Sequence, residues 1–143
     1  MEADMEKTIP LSENIEDYLE TILRLQIRNK VARSKDIAQE LNIKRGSVTG
    51  MLKKLAARKL IDYEPYGYVT LTPEGENIAK KIEYRHTVLK DFLFRILEVD
   101  ETRADETACR MEHAMDSQSF RKFVEFIATL DACPHRKQNP DQA

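Results

Sequence analysis

Three side chains that bind transition metals lie within one short segment, residues 108–113 of the sequence. Cys109 supplies a thiol, Glu112 a carboxylate and His113 an imidazole. At about 100° per residue, positions i, i+3 and i+4 share one face of a helix, so their donor atoms would converge. Sulfur, oxygen and nitrogen donors in this combination suit Fe(II), Mn(II), Co(II) or Zn(II). The spacing favours one side of a metal site, although a buried cysteine beside a surface Glu-His pair would give the same pattern.

Two further groups of residues could complete such a site. Asp17 and Glu20 are three residues apart in the first predicted helix, so both carboxylates can face the same point. His86 lies in the middle of a later predicted helix, between apolar residues at helical spacing. Each group also has an ordinary structural interpretation, a solvated acidic face for the carboxylates and a satisfied interfacial histidine for His86.

Hydrophobic periodicity predicts the helices that must hold the residues of the first half. Ser12 can cap a first helix, whose apolar residues recur every three or four positions. Ser34 can cap a short second helix over 35–41, and a break at 42–43 leads to a third helix over about 45–59. Two helices around a tight connection, the second longer and basic, are typical of a helix-turn-helix motif.

A β-hairpin is predicted directly after the third helix. Residues 60–64 and 68–71 alternate between polar and apolar with a period of two, as half-buried strands do. Between them lies a Pro-Tyr-Gly turn, in which Gly67 is free to take a positive φ. A hairpin in this place is a wing, so residues 1–72 are predicted to form a winged helix-turn-helix DNA-binding domain.

The second half of the chain is predicted to be helical throughout. Thr72 as N-cap and Pro73 as first helical residue begin a helix that continues to about residue 97. Two more helices fit residues 101–115 and 117–130. The predicted fold class is therefore mainly α, with an all-helical domain over 73–131 and a fraying polar tail over 132–143. The long helix is more apolar than a surface helix requires, which favours a homodimer interface.

Charge is unevenly distributed along the chain. Residues 1–21 carry seven acids against one base, a net of −6, and residues 22–60 carry eleven bases against two acids, a net of +9. A basic block of this kind indicates a double-stranded DNA partner, although a solvated helix face would also be basic.

The helix-turn-helix motif itself indicates which residues would contact DNA. The N-terminal part of its second helix enters the major groove. The candidates for that groove are Lys44, Arg45, Ser47 and Thr49. Arg45 can either bind guanine with two hydrogen bonds or contact a phosphate. Contacts to the DNA backbone are expected from Ser34, Lys35, Lys53, Lys54 and the wing near Tyr66 and Tyr68.

Composition excludes several classes of protein. No apolar stretch approaches the ~20 residues that a membrane span needs, and the acidic N-terminus lacks the features of a signal peptide. A cytoplasmic location is expected, in which Cys109 and Cys133 would be thiols.

Six segments of the chain, taken in order, form a recognisable set: residues 16–20, 47–55, 63–66, 71–75, 84–86 and 108–113. Over nearly the whole chain they resemble the DtxR/MntR family of iron- and manganese-dependent transcriptional repressors. The resemblance implies a repressor of metal-homeostasis genes that binds its DNA operator as a homodimer. It also implies activation by Mn(II) or Fe(II), with Co(II) and Zn(II) able to substitute.

The resemblance also implies a set of metal ligands, which are Asp17, Glu20, His86, Cys109, Glu112 and His113. Asp17 and Glu20 are the choices of manganese-type members, whereas Cys109 is the choice of iron-type members, so the site is a hybrid. Lys90 stands where iron-type members have a carboxylate, which alters their ancillary site. Cys133 and His135 are lesser candidates for ligands. The chain ends eight residues after His135, so the family's SH3-like third domain is expected to be absent.

Two alternatives remain at the level of the sequence. The chain could be a winged-helix regulator that responds to a small organic ligand or to thiol oxidation instead of a metal. It could also be a metallohydrolase, but no general base beyond the ligands and no nucleophile motif accompanies them. The protein is therefore expected not to be an enzyme.

Overall fold

The chain was studied as a computed structural model, which describes residues 13–64 and 67–131. It divides into two compact units, Met1–Ile82 and Glu83–Ala143. The division falls at residue 82, inside a helix, whereas the domain boundary predicted from the sequence was at residue 72. Within the described ranges, no helix combines the length and the apolar character that a membrane crossing needs.

The first unit begins with helix α1, Glu13–Asn29, followed by α2, Ser34–Leu41. The predicted apolar positions of α1 are in the core, since Leu19, Ile22 and Leu25 are at most 2% exposed. Ser12, the predicted cap of α1, lies outside the described residues.

The predicted cap of α2 is wrong, because Ser34 is the first helical residue and the N-cap is Arg33, which makes no side-chain cap hydrogen bond. The extended backbone of Arg33 already starts the helix there, and its carbonyl accepts from the N–H of Ile37 at 3.0 Å. At the other end Asn42 turns into the left-handed region at φ 55°, and the N–H of Ile43 returns to the carbonyl of Ala38 at 3.0 Å. This is the tight turn of the helix-turn-helix motif.

Helix α3, Arg45–Ala57, is the second helix of that motif. Its predicted apolar stripe is confirmed, since Val48, Leu52 and Leu55 are fully buried. The helix ends two residues before the predicted Lys59, because Lys59 adopts a left-handed φ of 60° and stops the helical hydrogen bonding.

The predicted wing is confirmed as an antiparallel pair, β1 (Ile61–Tyr63) and β2 (Val69–Leu71). A bridge between Ala32 and Val69 ties the segment before α2 to the hairpin. No glycine among the described residues has a positive φ, so Gly67 does not use the freedom expected of it. Its N–H donates to the carbonyl of Glu64 at 2.8 Å, which makes Gly67 the fourth residue of a turn, a position that does not require positive φ.

Helix α4, Pro73–Asp91, begins against the base of the wing. Thr72 is confirmed as its N-cap, because Oγ1 accepts a hydrogen bond from the N–H of Gly75 at 3.1 Å. The same hydroxyl donates to the carbonyl of Lys59 at 2.8 Å. A Cβ on Gly75 would stand 1.9 Å from the carbonyl oxygen of Leu60, so only glycine allows this close approach.

The second unit starts within α4 and continues with α5, Glu101–Ala114, and α6, Ser117–Asp131. The predicted continuation of α4 to residue 97 changes form at Phe92–Ile96, which is a π-helical turn. Asp100 and Asp116 cap α5 and α6 by accepting from backbone N–H groups at 3.2 and 2.7 Å. The small core of this unit consists of Leu89, Leu93, Ala104, Ala108 and Phe120.

Candidate metal centre and DNA-binding face

Helix α5 brings together the three ligand candidates that it carries. The ligand atoms of Cys109, Glu112 and His113 lie within 4.8 Å of one another. Ala104 and Ala108 are completely buried in the core, and this packing fixes the rotation of the helix about its axis. The apolar stripe thereby positions sulfur, oxygen and nitrogen donors on a neighbouring face of the same helix.

Glu112 is the most buried of these donors, with 1% of the residue exposed. Its Oε2 lies 2.9 Å from Nδ1 of His86, a residue of α4. Oε1 is buried with no hydrogen-bond partner among the described residues, and Nε2 of His113 lies 3.4 Å from it. A buried carboxylate oxygen in this state is costly unless a cation balances it. The donor set therefore fits a divalent metal ion.

His86 is held between two carboxylates. Besides Glu112 at Nδ1, it has Oδ1 of Asp105 at 2.8 Å from Nε2. Asp105 was not predicted from the sequence as part of this site. Its position, four residues before Cys109 and seven before Glu112, was a usable signal, because that spacing places it on the same face of α5.

Lys90 adds a positive charge beside this pair. Its Nζ lies 3.5 Å from Oδ1 of Asp105 and 3.7 Å from Oε1 of Glu101. Partial burial raises the pKa of Asp105, but the hydrogen bond from His86 and the charges of His86 and Lys90 outweigh that effect, and the pKa falls below its usual value. Asp105 is therefore ionised at neutral pH.

Arg85, next to His86, fixes the end of the ligand-bearing helix. Its guanidinium donates to the carbonyl of Met115 at 2.8 Å and to Oγ of Ser117 at 3.1 Å. It also lies 5.2 Å from the ring centroid of Phe120. A cation at the C-terminus of α5 satisfies carbonyls that the helix leaves open.

The two carboxylates of α1 differ in their exposure. Asp17 is half-buried, whereas Glu20 is only 4% exposed and pairs with Arg24 one turn later, with 2.5 Å between Oε1 and Nη2. A solvated acidic face is therefore not the explanation for Glu20. Cys133 and His135 lie outside the described residues.

The face of α3 opposite its buried stripe is open to solvent. It presents Arg45, Ser47, Lys53 and Lys54, all exposed, with Lys44 just before the helix. A Cβ added to Gly46 or Gly50 would meet nothing within 4 Å, so no other described part of the chain packs against these two positions. Thr49 is half-buried, and its hydroxyl donates to the carbonyl of Arg45 at 3.1 Å.

The segment before α2 lies beside the wing. Ser34 is half-buried and Lys35 exposed. Arg33, which the sequence analysis did not select, places its guanidinium 5.2 Å from the ring centroid of Tyr68. Basic and hydroxyl side chains on α3, the start of α2 and the wing together make a surface able to contact phosphates and base edges.

Comparison with known proteins assigns both halves of the chain. Residues 10–69 match the family described as iron dependent repressor, N-terminal DNA binding domain. Residues 72–141 match the one described as iron dependent repressor, metal binding and dimerisation domain.

Individual relatives agree with this assignment. An uncharacterised HTH-type transcriptional regulator of Methanocaldococcus jannaschii is 41% identical over 118 residues, which is 82% of this chain and 94% of the relative. The HTH-type transcriptional regulator MntR of Lysinibacillus sphaericus is 34% identical, over 90% of this chain and 87% of its own. A solved manganese-dependent transcriptional repressor in complex with manganese superimposes with a TM-score of 0.68 and 27% identity over 82% of this chain. This chain spans about half, 51%, of that solved chain.

Proposed function

Because this chain belongs to the iron-dependent repressor family, we propose that it is a transcriptional repressor that binds operator DNA when Mn(II) or Fe(II) is bound to it. The observation that carries the proposal is the cluster around Glu112, a buried carboxylate with three metal-binding side chains beside it. The genes that such a repressor controls are those of metal homeostasis.

For the metal site we propose six ligands: Asp17, Glu20, His86, Cys109, Glu112 and His113. The donor cluster of the second unit supports four of them. The spacing of Asp17 and Glu20 on α1 and the burial of Glu20 support the other two. A bound dication would supply the positive charge that balances these carboxylates.

The chemistry of these ligands suggests how metal would control DNA binding. The six residues come from both compact units, so a set that binds metal together favours one arrangement of the chain over the others. If that arrangement is the one that fits DNA, metal shifts the population towards it. The size of the shift equals the difference in metal affinity between the two states.

For the DNA interface we propose that α3 enters the major groove. The residues at its start, Lys44, Arg45, Ser47 and Thr49, would face the bases. Backbone contacts would come from Ser34, Lys35, Lys53, Lys54 and the wing. A homodimer held by the second unit would present two such helices to an operator with two half-sites. A repressor of this kind acts in the cytoplasm.

The experiment that tests the proposal is an anaerobic titration of the metal-free protein with each metal, read by fluorescence anisotropy of a labelled fragment from its own promoter region. We expect Mn(II) or Fe(II) to tighten DNA binding at least tenfold, and a chelator to reverse the effect. Glu112→Gln should abolish the gain. Glu106→Gln, an exposed substitution on the same helix with the same loss of charge, is the matched control. Equal DNA affinity with and without metal would contradict the proposal and favour a regulator that responds to an organic ligand or to oxidation.

A further inference from the structure

The ring of His86 is oriented by hydrogen bonds at both nitrogens. Nδ1 faces Oε2 of Glu112 at 2.9 Å, and Nε2 faces Oδ1 of Asp105 at 2.8 Å. The histidine is 5% exposed, so it has little room to rotate. An ionised carboxylate can only accept, so neither neighbour donates to the ring. A metal ion takes the place of the proton at one nitrogen, and the other nitrogen keeps its proton and donates it to its carboxylate.

Asp105 is well placed to be that acceptor because other groups hold it in position. Lys90, one helical turn after His86 on α4, lies 3.5 Å from the same Oδ1. Glu101, one turn before Asp105 on α5, lies 3.7 Å from Lys90. The chain of charges Glu101, Lys90 and Asp105 keeps an ionised carboxylate at Nε2 of His86.

The same neighbour argues against Asp105 as a metal ligand. A dication coordinated by Oδ1 of Asp105 would approach the ammonium of Lys90, which lies 3.5 Å from that oxygen, and the two positive charges would repel each other. Nδ1 of His86 faces the buried carboxylate of Glu112, whose ligand atom lies within 4.8 Å of those of Cys109 and His113. The metal side of the ring is therefore the Nδ1 side.

We propose that Asp105 is a positioning residue that accepts the Nε2 proton of His86 and thereby presents Nδ1 to the metal. The inference rests on the proposed function, because it requires metal to bind at His86. Ligating histidines commonly donate their second ring N–H to a carboxylate, which fixes the tautomer and raises the basicity of the ligating nitrogen. Asp105, supported by Lys90, does this from outside the ligand set.

The test uses the full chain labelled with ¹⁵N and loaded with Zn(II), which is diamagnetic. Long-range ¹H–¹⁵N correlation spectra identify which ring nitrogen of His86 carries the proton and which one shifts on metal binding. We expect a protonated Nε2 and a metal-shifted Nδ1 in the unmodified protein. Asp105→Ala should lower Zn(II) affinity by about 10–100-fold and lose the single protonation pattern.

Two variants separate positioning from other causes. Asp105→Asn retains an oxygen that can accept from Nε2–H, so we expect it to restore the protonation pattern and most of the affinity. Glu106→Ala, an exposed acidic neighbour on α5, should match the unmodified protein. Circular dichroism checks that each variant is folded.

The outcomes distinguish this inference from the proposed function. If Zn(II) shifts His86 in the unmodified protein but Asp105→Ala binds Zn(II) equally well with Nε2 still protonated, the inference about Asp105 is wrong and the metal site stands. A metal-shifted Nε2 would also overturn it. If Zn(II) leaves both ring nitrogens of His86 unchanged in the unmodified protein, the proposed metal site and this inference fail together.

Discussion

Cys109 introduces a soft donor among harder ones. Its sulfur lies within 4.8 Å of the ligand atoms of Glu112 and His113. A thiolate favours Fe(II), Co(II) or Zn(II), whereas carboxylates suit Mn(II). We expect Cys109→Glu to shift the ratio of affinities towards Mn(II), measured by competition between Mn(II) and Fe(II) under anaerobic conditions.

Cobalt(II) shows directly whether this cysteine coordinates. A Co–S bond gives an intense near-ultraviolet charge-transfer band, which oxygen and nitrogen ligands do not. The band should be present in the unmodified protein and absent in Cys109→Ala. A variant Cys109→Ala with an unchanged spectrum and unchanged metal preference would show that the thiol is not a ligand.

Residues near in sequence were predictable, whereas contacts between helices were not. Cys109, Glu112 and His113 followed from helical spacing alone, because the geometry that joins them lies within one helix. The bond between His86 and Asp105 joins residues nineteen apart in sequence on two helices, so it depends on how those helices pack. No periodicity in either helix reports that packing.

At the scale of elements, we expect the exposed face of α3 to separate base contacts from phosphate contacts. Lys53→Ala should weaken binding to all DNA and reduce the salt dependence by roughly one counterion, because each phosphate contact releases counterions. Arg45→Ala should cost ~1–3 kcal/mol at one base position if its contact is bidentate. Affinities for cognate and random DNA over a range of salt provide the measurement. Equal losses on both DNAs would make Arg45 a phosphate contact only.

The cap of α6 predicts a pH dependence of stability. The backbone N–H and the hydroxyl of Ser119 donate to Asp116 and lower its pKa. A carboxyl with a lowered pKa stabilises the folded state above its unfolded pKa of about 3.9, and this stabilisation is lost as pH falls through the folded pKa.

Asp116→Ala should therefore unfold at a lower urea concentration than the unmodified chain at pH 7. The difference should shrink as pH falls below about 4. Glu125→Gln, an exposed change of the same charge on α6, serves as the control. A difference that stays constant from pH 7 to pH 3 would contradict the ionic cap.

Most of the elements followed from hydrophobic periodicity and turn residues. The helices, the hairpin and the cap at Thr72 were predictable because short-range spacing and local hydrogen bonding determine them. The π-helical turn at Phe92–Ile96 was not, because its sequence keeps the apolar spacing of an α-helix. Ser34 is a residue type that suits an N-cap, but Arg33 occupies the N-cap position. Gly67 suits a positive φ, but it takes a position in the turn that does not require one.

At the scale of the whole molecule, the second unit retains large apolar side chains on its surface. Tyr84, Phe94, Leu97 and Phe126 are 47–55% exposed. Apolar surface of this extent on a small unit favours association with a second copy. We expect sedimentation to give a dimer at micromolar concentration and Leu97→Glu to weaken it. Ile27→Glu, an exposed aliphatic position of the first unit, should leave the dimer intact, and a monomeric unmodified chain would contradict the prediction.

Helix α4 is held at the base of the wing by a close contact that Gly75 allows because it has no side chain. Near its start the helix lies against the carbonyl of Leu60 at the base of the wing. Eleven residues further on, about 16 Å along the axis, it carries His86. In Gly75→Ala the added Cβ would overlap the carbonyl oxygen of Leu60. We therefore expect the free energy of unfolding to fall by about 1–3 kcal/mol. Gly46→Ala, where a Cβ meets nothing, should lose no stability in the same urea titration. If α4 couples metal binding to DNA binding, Gly75→Ala will still bind metal but will gain less DNA affinity from it. One added carbon atom would then separate metal binding from its effect on DNA binding.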